Sequence, residues 1–345
     1  MKKGFVLGID QGSTGSKVLV VNEEGQTICK AYRPIKSICP RDGWLEHNPE
    51  DIWKSVEECL KEISNNFDMQ LLSGIGITNQ RETTLFWDRT TGEAISPAIS
   101  WQDRRSGEVL KQWEGFKNEI VEKTGLPFAS YFSASKISWL LQNYPEVLLR
   151  AERGDACFGN INSWLIWKLT CCKSHCTDSG NAGRNMFFDL RNNIYVDSIL
   201  SKMNIPHSIL PQVLPNDGLF GYACYPNYIF KNPVPILASI GDQMSALFGQ
   251  ACFERGQAKC TIGTAMTISA ITGEYENVIS DSDVVPAIAS NLSGKITYEI
   301  EDGAFTAGSV NDWLIDNLHL VKDYEEINTL AASVESSDGV YFVPA

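Results

Sequence analysis

The order in which apolar runs and tight turns alternate near the N-terminus is the strongest constraint on how this chain folds. Phe5-Val6-Leu7-Gly8-Ile9, the turn Asp10-Gln11-Gly12-Ser13-Thr14-Gly15, Lys17 to Val21, the turn Asn22-Glu23-Glu24-Gly25 and a run from Thr27 read as strand, turn, strand, turn, strand. Asn48 then offers an N-cap, Pro49 suits the first helical position, and Glu50 and Asp51 fall in the first turn. Ile52, Val56, Leu60 and Ile63 recur on one helical face, and a further strand is predicted at Ile75 to Thr78. An antiparallel meander followed by a crossover calls for an α/β fold with a mixed sheet.

The same grammar returns late in the chain. Lys259 to Ile262, the turn Gly263-Thr264, Met266 to Thr272 and Lys295 to Ile300 read as three strands, and a helical stretch runs near Gly308 to Leu318. The repeat is one of pattern, not of residue identity, and implies two related domains whose turns face a shared cleft. The boundary is expected within Gly241 to Gly249, after a strand at Ile236 to Ile240, giving domains 1–245 and 246–345. Residues 80 to 235 exceed what such a domain needs and are expected to carry insertions that shape a pocket. The apolar run Gly339 to Ala345 lacks a closing polar tail, so the second domain is expected to be truncated.

Composition excludes several functions. Of the 345 residues, 29 are Lys or Arg and 42 are Asp or Glu, a formal charge of −13, which leaves no basic surface for nucleic acid. The apolar run Phe5 to Ile9 is short and Asp10 interrupts it, so neither a secretory signal nor membrane insertion is expected and the chain reads as cytoplasmic. Ten scattered cysteines are expected to be free thiols. Cys171-Cys172-Lys173-Ser174-His175-Cys176 reads as a thiol-bearing loop between two strands, with zinc the minority reading, and the four histidines are assigned surface roles.

Three segments could carry chemistry. The small residues of the turn 10 to 15 let backbone N–H groups and hydroxyls approach a phosphate, with Asp10 placed for a hydrated cation; a plain glycine hairpin is the alternative. No Gly-x-Gly-x-x-Gly opens a helix there, which disfavours dinucleotide binding. Asp242 follows an apolar strand and is a candidate general base, with a turn or helix cap as the alternative. Arg81 and Glu82 can bond neighbouring hydroxyls of a polyol while Trp101 covers its C–H side; the alternative is a surface ion pair and a core tryptophan.

Taken together, Gly8-Ile9-Asp10-Gln11-Gly12-Ser13-Thr14, Gly76 to Thr84, Trp101-Gln102-Asp103-Arg104-Arg105, Tyr131 to Lys136, Gly241-Asp242-Gln243 with Ala246 to Gln250, and Gly263-Thr264 are specific. They come in the order, and run the length, by which the chain resembles the FGGY family of carbohydrate kinases, the glycerol-phosphorylating members above all. The resemblance implies two actin-like, ribonuclease H-like domains around a cleft. It implies that Arg81, Glu82, Tyr131, Asp242 and Gln243 hold polyol hydroxyls, that Trp101 lies against the carbons, and that Asp242 is the base. By the same resemblance Gln11, Gly12, Ser13, Thr14, Ser16, Gly263 and Thr264 hold ATP phosphates, Gly308 lies near the nucleotide, and Asp10 and Asp242 hold Mg²⁺ through water.

The activity so implied is in-line phosphoryl transfer from ATP to a polyol, glycerol first, with another sugar or polyol kinase or a non-catalytic polyol-binding relative as alternatives. Three departures from the family pattern stand out. Gly263-Thr264-Ala265-Met266-Thr267 replaces Gly-Thr-Gly-Cys-Phe, Asp312 replaces a Gln near the nucleotide, and the glycine-rich adenosine pocket expected beyond Ala345 is missing, so that this chain is expected to bind substrate without necessarily phosphorylating it. Tyr228 stands where a regulatory histidine would be, and a homo-oligomer is left open.

Overall fold

A computed structural model describes residues 4–263, 265–275, 284–304 and 306–343. The first three strands, β1 (Phe5–Gln11), β2 (Gly15–Asn22) and β3 (Thr27–Pro34), form the expected antiparallel meander. Helix α1 (Pro49–Asn66) crosses over to β4 (Leu72–Asn79), which pairs parallel to β1. The Asn48 side chain accepts from the Glu50 N–H at 3.0 Å, and Ile52, Val56, Leu60 and Ile63 are all buried against the sheet. The capping and periodicity seen in the sequence therefore set this element.

Strands β5 (Gly221–Ala223) and β6 (Val234–Gly241) complete a six-stranded sheet of order β5-β6-β4-β1-β2-β3, with β6 parallel to β4. Asp10, Thr78 and Ile240 share one register row, and Gln11, Asn79 and Gly241 the next. The parallel strands thus end together, and the segments leaving them are delivered to one edge, where ligands gather in α/β sheets.

A four-stranded antiparallel sheet follows, β7 (Ala258–Ile262), β8 (Met266–Gly273), β9 (Val285–Leu292) and β10 (Lys295–Ala304), in the order β7-β8-β10-β9. Strand β9 was not expected from the sequence: Pro286 and Asn291 break its apolar pattern, and pairing with β10 forms it. Between the two sheets runs α2 (Asp242–Gly249). The later helices Ser309–Asp316 and Tyr324–Ala332 bury no residue.

Other expectations need correction. Cys171 and Cys172 follow the helix Ile161–Leu169 in left-handed conformation, so the cysteine cluster leaves a helix before the strand Cys176–Asp178 and does not join two strands. Cys171 pairs with Cys224 as a disulfide; the other described cysteines are free. Two of the histidines are not surface groups. His47 is 1% exposed, and the His175 ring stands edge-on to Trp87 at 5.3 Å, where burial pushes its pKa down to about 4. Among the described residues no helix is long and apolar enough to cross a membrane.

Candidate active site

Where the strand ends of the first sheet meet the second sheet, the protein forms a cavity of about 670 Å³. Ser13, Arg81, Glu82, Trp101, Tyr131 and Arg184 line it from one side, and Asp242, Gln243, Thr267 and Glu301 from the other. The 80–235 region supplies Tyr131 and Arg184, so it does shape the pocket.

Arg81 and Glu82 lie immediately past the end of β4. The chain reverses there so sharply that Glu82 has φ 59° and the Thr83 N–H donates to the Arg81 carbonyl at 2.7 Å. A non-glycine residue in the left-handed region costs about 1–3 kcal/mol and persists only where its surroundings over-determine it. Gln80 Nε2 donates to Gln11 Oε1 at 3.0 Å, and Asn160 Nδ2 donates to the Thr83 carbonyl at 3.1 Å, clamping the reversal from both sides.

The carboxylates and guanidinium groups alternate. Arg81 Nη2 donates to both oxygens of Glu301, its Nε lies 3.5 Å from Asp242 Oδ1, and Arg184 bridges Glu82 through Nε and Glu301 through Nη2. Arg184 also stacks over the rings of Tyr131, at 5.4 Å, and Phe132, at 5.1 Å. The loop carrying these aromatics is held by Lys136, fully buried, which donates to the carbonyls of Ser130 and Tyr131. Trp101 meets Tyr131 edge to face at 5.9 Å and donates from Nε1 to Ser13 Oγ at 2.8 Å.

Asp242 is the first residue of α2, and 34% of its side chain remains open toward the cavity. Burial pushes its carboxyl up to about 6, outweighing the opposing pull of Arg81, and Glu82 adds to the rise. A carboxylate raised toward neutral pH is a better proton acceptor than an ordinary one. Gln243, next in the helix, accepts from Lys259.

The turn between β1 and β2 is closed by the Gly12 N–H donating to the Gly15 carbonyl at 2.9 Å. Gly15 must lack a side chain, because a Cβ there would lie 2.5 Å from the Arg33 carbonyl oxygen. Ser13 faces the cavity and Thr14 is exposed at the tip. Ser16 departs from expectation: its hydroxyl is buried beneath the turn and hydrogen-bonded to Ser55 of α1 at 2.7 Å, so it cannot reach a phosphate. The Gln11 side chain is likewise turned inward, onto Gln80 and the Gly12 carbonyl. Asp10 is half-buried, and burial raises its pKa against the pull of Lys17.

On the other side the Gly308 N–H donates to the Gly263 carbonyl at 2.8 Å, which brings these two expected nucleotide positions together. Thr264 lies outside the described residues. Asp312 is turned to the Tyr324 hydroxyl on the surface, and Thr267 lines the cavity.

Sequence reasoning missed Arg184, Lys259, Glu299 and Glu301. No local signal marks Arg184, and the alternation Tyr298-Glu299-Ile300-Glu301 reads as a strand with its acids in water. The structure buries both acids, at 0% and 7% exposure.

The family model for the N-terminal domain of the FGGY family of carbohydrate kinases matches residues 5–249. A glycerol kinase of Brevibacillus brevis is 41% identical over 349 residues, covering 100% of this chain and 69% of that protein. One from Listeria monocytogenes is 39% identical and covered to 70%. The crystal structure of Plasmodium falciparum glycerol kinase with ADP superposes with a TM-score of 0.91 at 36% identity, covering 99% of this chain and 69% of that one. A gluconate kinase from Lactobacillus acidophilus shares the fold at a TM-score of 0.84 and 18% identity, covering 96% of this chain and 66% of that one. This chain belongs to the FGGY family of carbohydrate kinases.

Proposed function

We propose that the protein transfers the γ-phosphoryl group of ATP to a small polyol, converting glycerol to glycerol 3-phosphate. The observation that carries this reading is the juxtaposition of Asp242, with its carboxyl near 6, and the Arg81–Glu82 pair in one cavity that the Ser13 hairpin also lines. Glycerol kinases at about 40% identity support the choice of substrate. Residues 1–245 carry the polyol side in this reading, and 246–345 begin the nucleotide side.

Arg81, Glu82, Tyr131 and Gln243 bind and orient the hydroxyls, while Trp101 covers the carbons. Asp242 takes the proton of the primary hydroxyl as its oxygen attacks the γ-phosphorus in line, and no covalent enzyme intermediate forms. Backbone and hydroxyl donors of Gly12, Ser13 and Thr14, with Gly263 and Gly308 opposite, meet the phosphates, and the resemblance gives Thr264 the same role. Closure of the cleft excludes the water that would otherwise compete as acceptor.

Asp10 and Asp242 would hold Mg²⁺ through water. The residues fit such an ion: Asp10 is a half-buried carboxylate, and the neighbouring Thr78 hydroxyl is buried without a partner among the described residues. Mg²⁺ favours this arrangement, one or two carboxylates plus water and substrate phosphate. When bound it would offset the charge spread over the transferring group.

Glycerol, ATP and Mg²⁺ should yield ADP and glycerol 3-phosphate, seen by phosphorus NMR, and chelation of the metal should stop the reaction. Binding of glycerol with no product from it, from a longer polyol or from a pentulose would sink the kinase reading. Thr267 in the cavity wall supports a second reading, a longer polyol or a pentulose, which would give product where glycerol gives none.

A further inference from the structure

We propose that Lys259 is a positioning residue that fixes which end of the Gln243 side chain meets the polyol, making Gln243 a hydrogen-bond donor in the pocket. The inference rests on the reading above, in which Gln243 binds substrate. Lys259 lies on β7 between exposed neighbours Ala258 and Cys260, and its own side chain points inward, 2% exposed. There its Nζ donates to Gln243 Oε1 and to Thr261 Oγ1, the latter at 2.9 Å.

An ammonium has three donors and no acceptor, so only the carbonyl end of an amide can face it. The Gln243 amide therefore turns its NH₂ away from Lys259, and Gln243 lines the cavity. Burying an ammonium is costly unless charge and hydrogen bonds compensate. Here Glu301 and Glu299 supply the opposite charge, and burial still pulls the Lys259 pKa down. Such a group needs a reason to be buried, and orienting Gln243 supplies one.

The consequence is a balanced set of partners. A polyol hydroxyl both donates and accepts. Glu82 and Asp242 can only accept, whereas Arg81 and the NH₂ of Gln243 can only donate. Freed from Lys259, the amide could present its carbonyl instead, and the pocket would exchange a donor for an acceptor at that position.

The test is a set of Lys259 and Gln243 variants, with glycerol affinity read by calorimetry and steady-state kinetics measured alongside. Lys259→Met should raise the glycerol Kd and KM about tenfold, the scale of one buried hydrogen bond, with kcat and the ATP KM within about twofold. Lys259→Arg, also a pure donor, should stay within about threefold of wild type. In a Gln243→Met background, Lys259→Met should cost nothing further in affinity. The proposal is overturned if Lys259→Met binds glycerol like wild type, if its effect is the same with and without Gln243, or if a folded Lys259→Arg loses as much as Lys259→Met. Should Lys259→Met fail to fold, the Arg variant decides: glycerol affinity within about threefold of wild type supports the proposal, and a folded Lys259→Arg that binds glycerol about tenfold or more weakly overturns it. Wild-type protein that binds no polyol overturns the functional reading along with this one, whereas wild-type binding with any of the three results above overturns this one alone.

Discussion

Arg81 sends one nitrogen, Nη2, to both carboxylate oxygens of Glu301, at 2.9 and 2.8 Å, across 220 positions of sequence. Glu301 also receives Arg184, so one acid on the second sheet anchors two guanidinium groups that earlier segments of the chain deliver to the cavity. Removing one partner of a buried ion pair leaves the other uncompensated. Glu301→Ala is expected to destabilise the protein by about 3–5 kcal/mol, measured by denaturant unfolding. Glycerol affinity should fall with it, and a variant as stable as wild type would show that the two arginines need no partner there.

Asp242→Asn keeps the shape of the side chain and removes the base. Turnover should drop by about 10²- to 10⁴-fold while glycerol still binds. In wild type the carboxylate must be ionised to accept a proton, and its pKa stands near 6. The rate at low substrate should therefore fall as pH drops through about 6, with a slope of one proton. A profile flat from pH 7 to 5 would remove Asp242 from the role of base.

Glu299 is fully buried, and among the described residues neither of its carboxyl oxygens has a hydrogen-bond partner. Burial, and then Glu301 beside it, push its pKa up to about 7 from an ordinary 4.5. The folded protein thus keeps a proton that the unfolded chain releases, and stability falls as pH rises from about 4.5 to about 7. Glu299→Gln should remove that contribution, making the variant relatively more stable above pH 7 than below 4.5. Parallel unfolding curves for the two proteins across that window would contradict the assignment.

Gly241 is the last residue of β6, directly before Asp242, and a Cβ there would lie 2.7 Å from Arg81 Cδ and 2.8 Å from its Cγ. Gly241→Ala should push the guanidinium out of register with Glu301. Overpacking of this kind costs about 1–3 kcal/mol. Glycerol affinity should suffer more than nucleotide affinity, as parallel calorimetric titrations would show; equal losses would mean a general disturbance instead.

Much of the first sheet was legible because its signals are local. The Asn48 cap, the Pro49 start and the period of Ile52, Val56, Leu60 and Ile63 act within one helix, and the turns at 10–15 and 22–25 close between adjacent strands. The expectation for Ser16 failed for an equally local reason. Strand β2 begins at Gly15, and the two-residue period there points Ser16 at α1, not toward the turn's open side. Strand β9 pairs with its neighbour β10 across the two-residue turn Ser293-Gly294, a local contact that Pro286 and Asn291 obscured in the sequence pattern, whereas the burial of His47 depends on its pairing with Ala98, far away in sequence, and no window of residues reports it.

The sequence by itself determined the meander, the crossover helix and the three strand ends that carry the Ser13 turn, Arg81–Glu82 and Asp242, because hydrogen bonding and apolar periodicity over a few residues are enough to specify them. Only the tertiary structure decided that Glu301, Glu299, Arg184 and Lys259 are buried together beside those residues. A charged side chain leaves water only when opposite charges and donors from elsewhere in the fold surround it, and that compensation exists only once the second sheet has packed against the first.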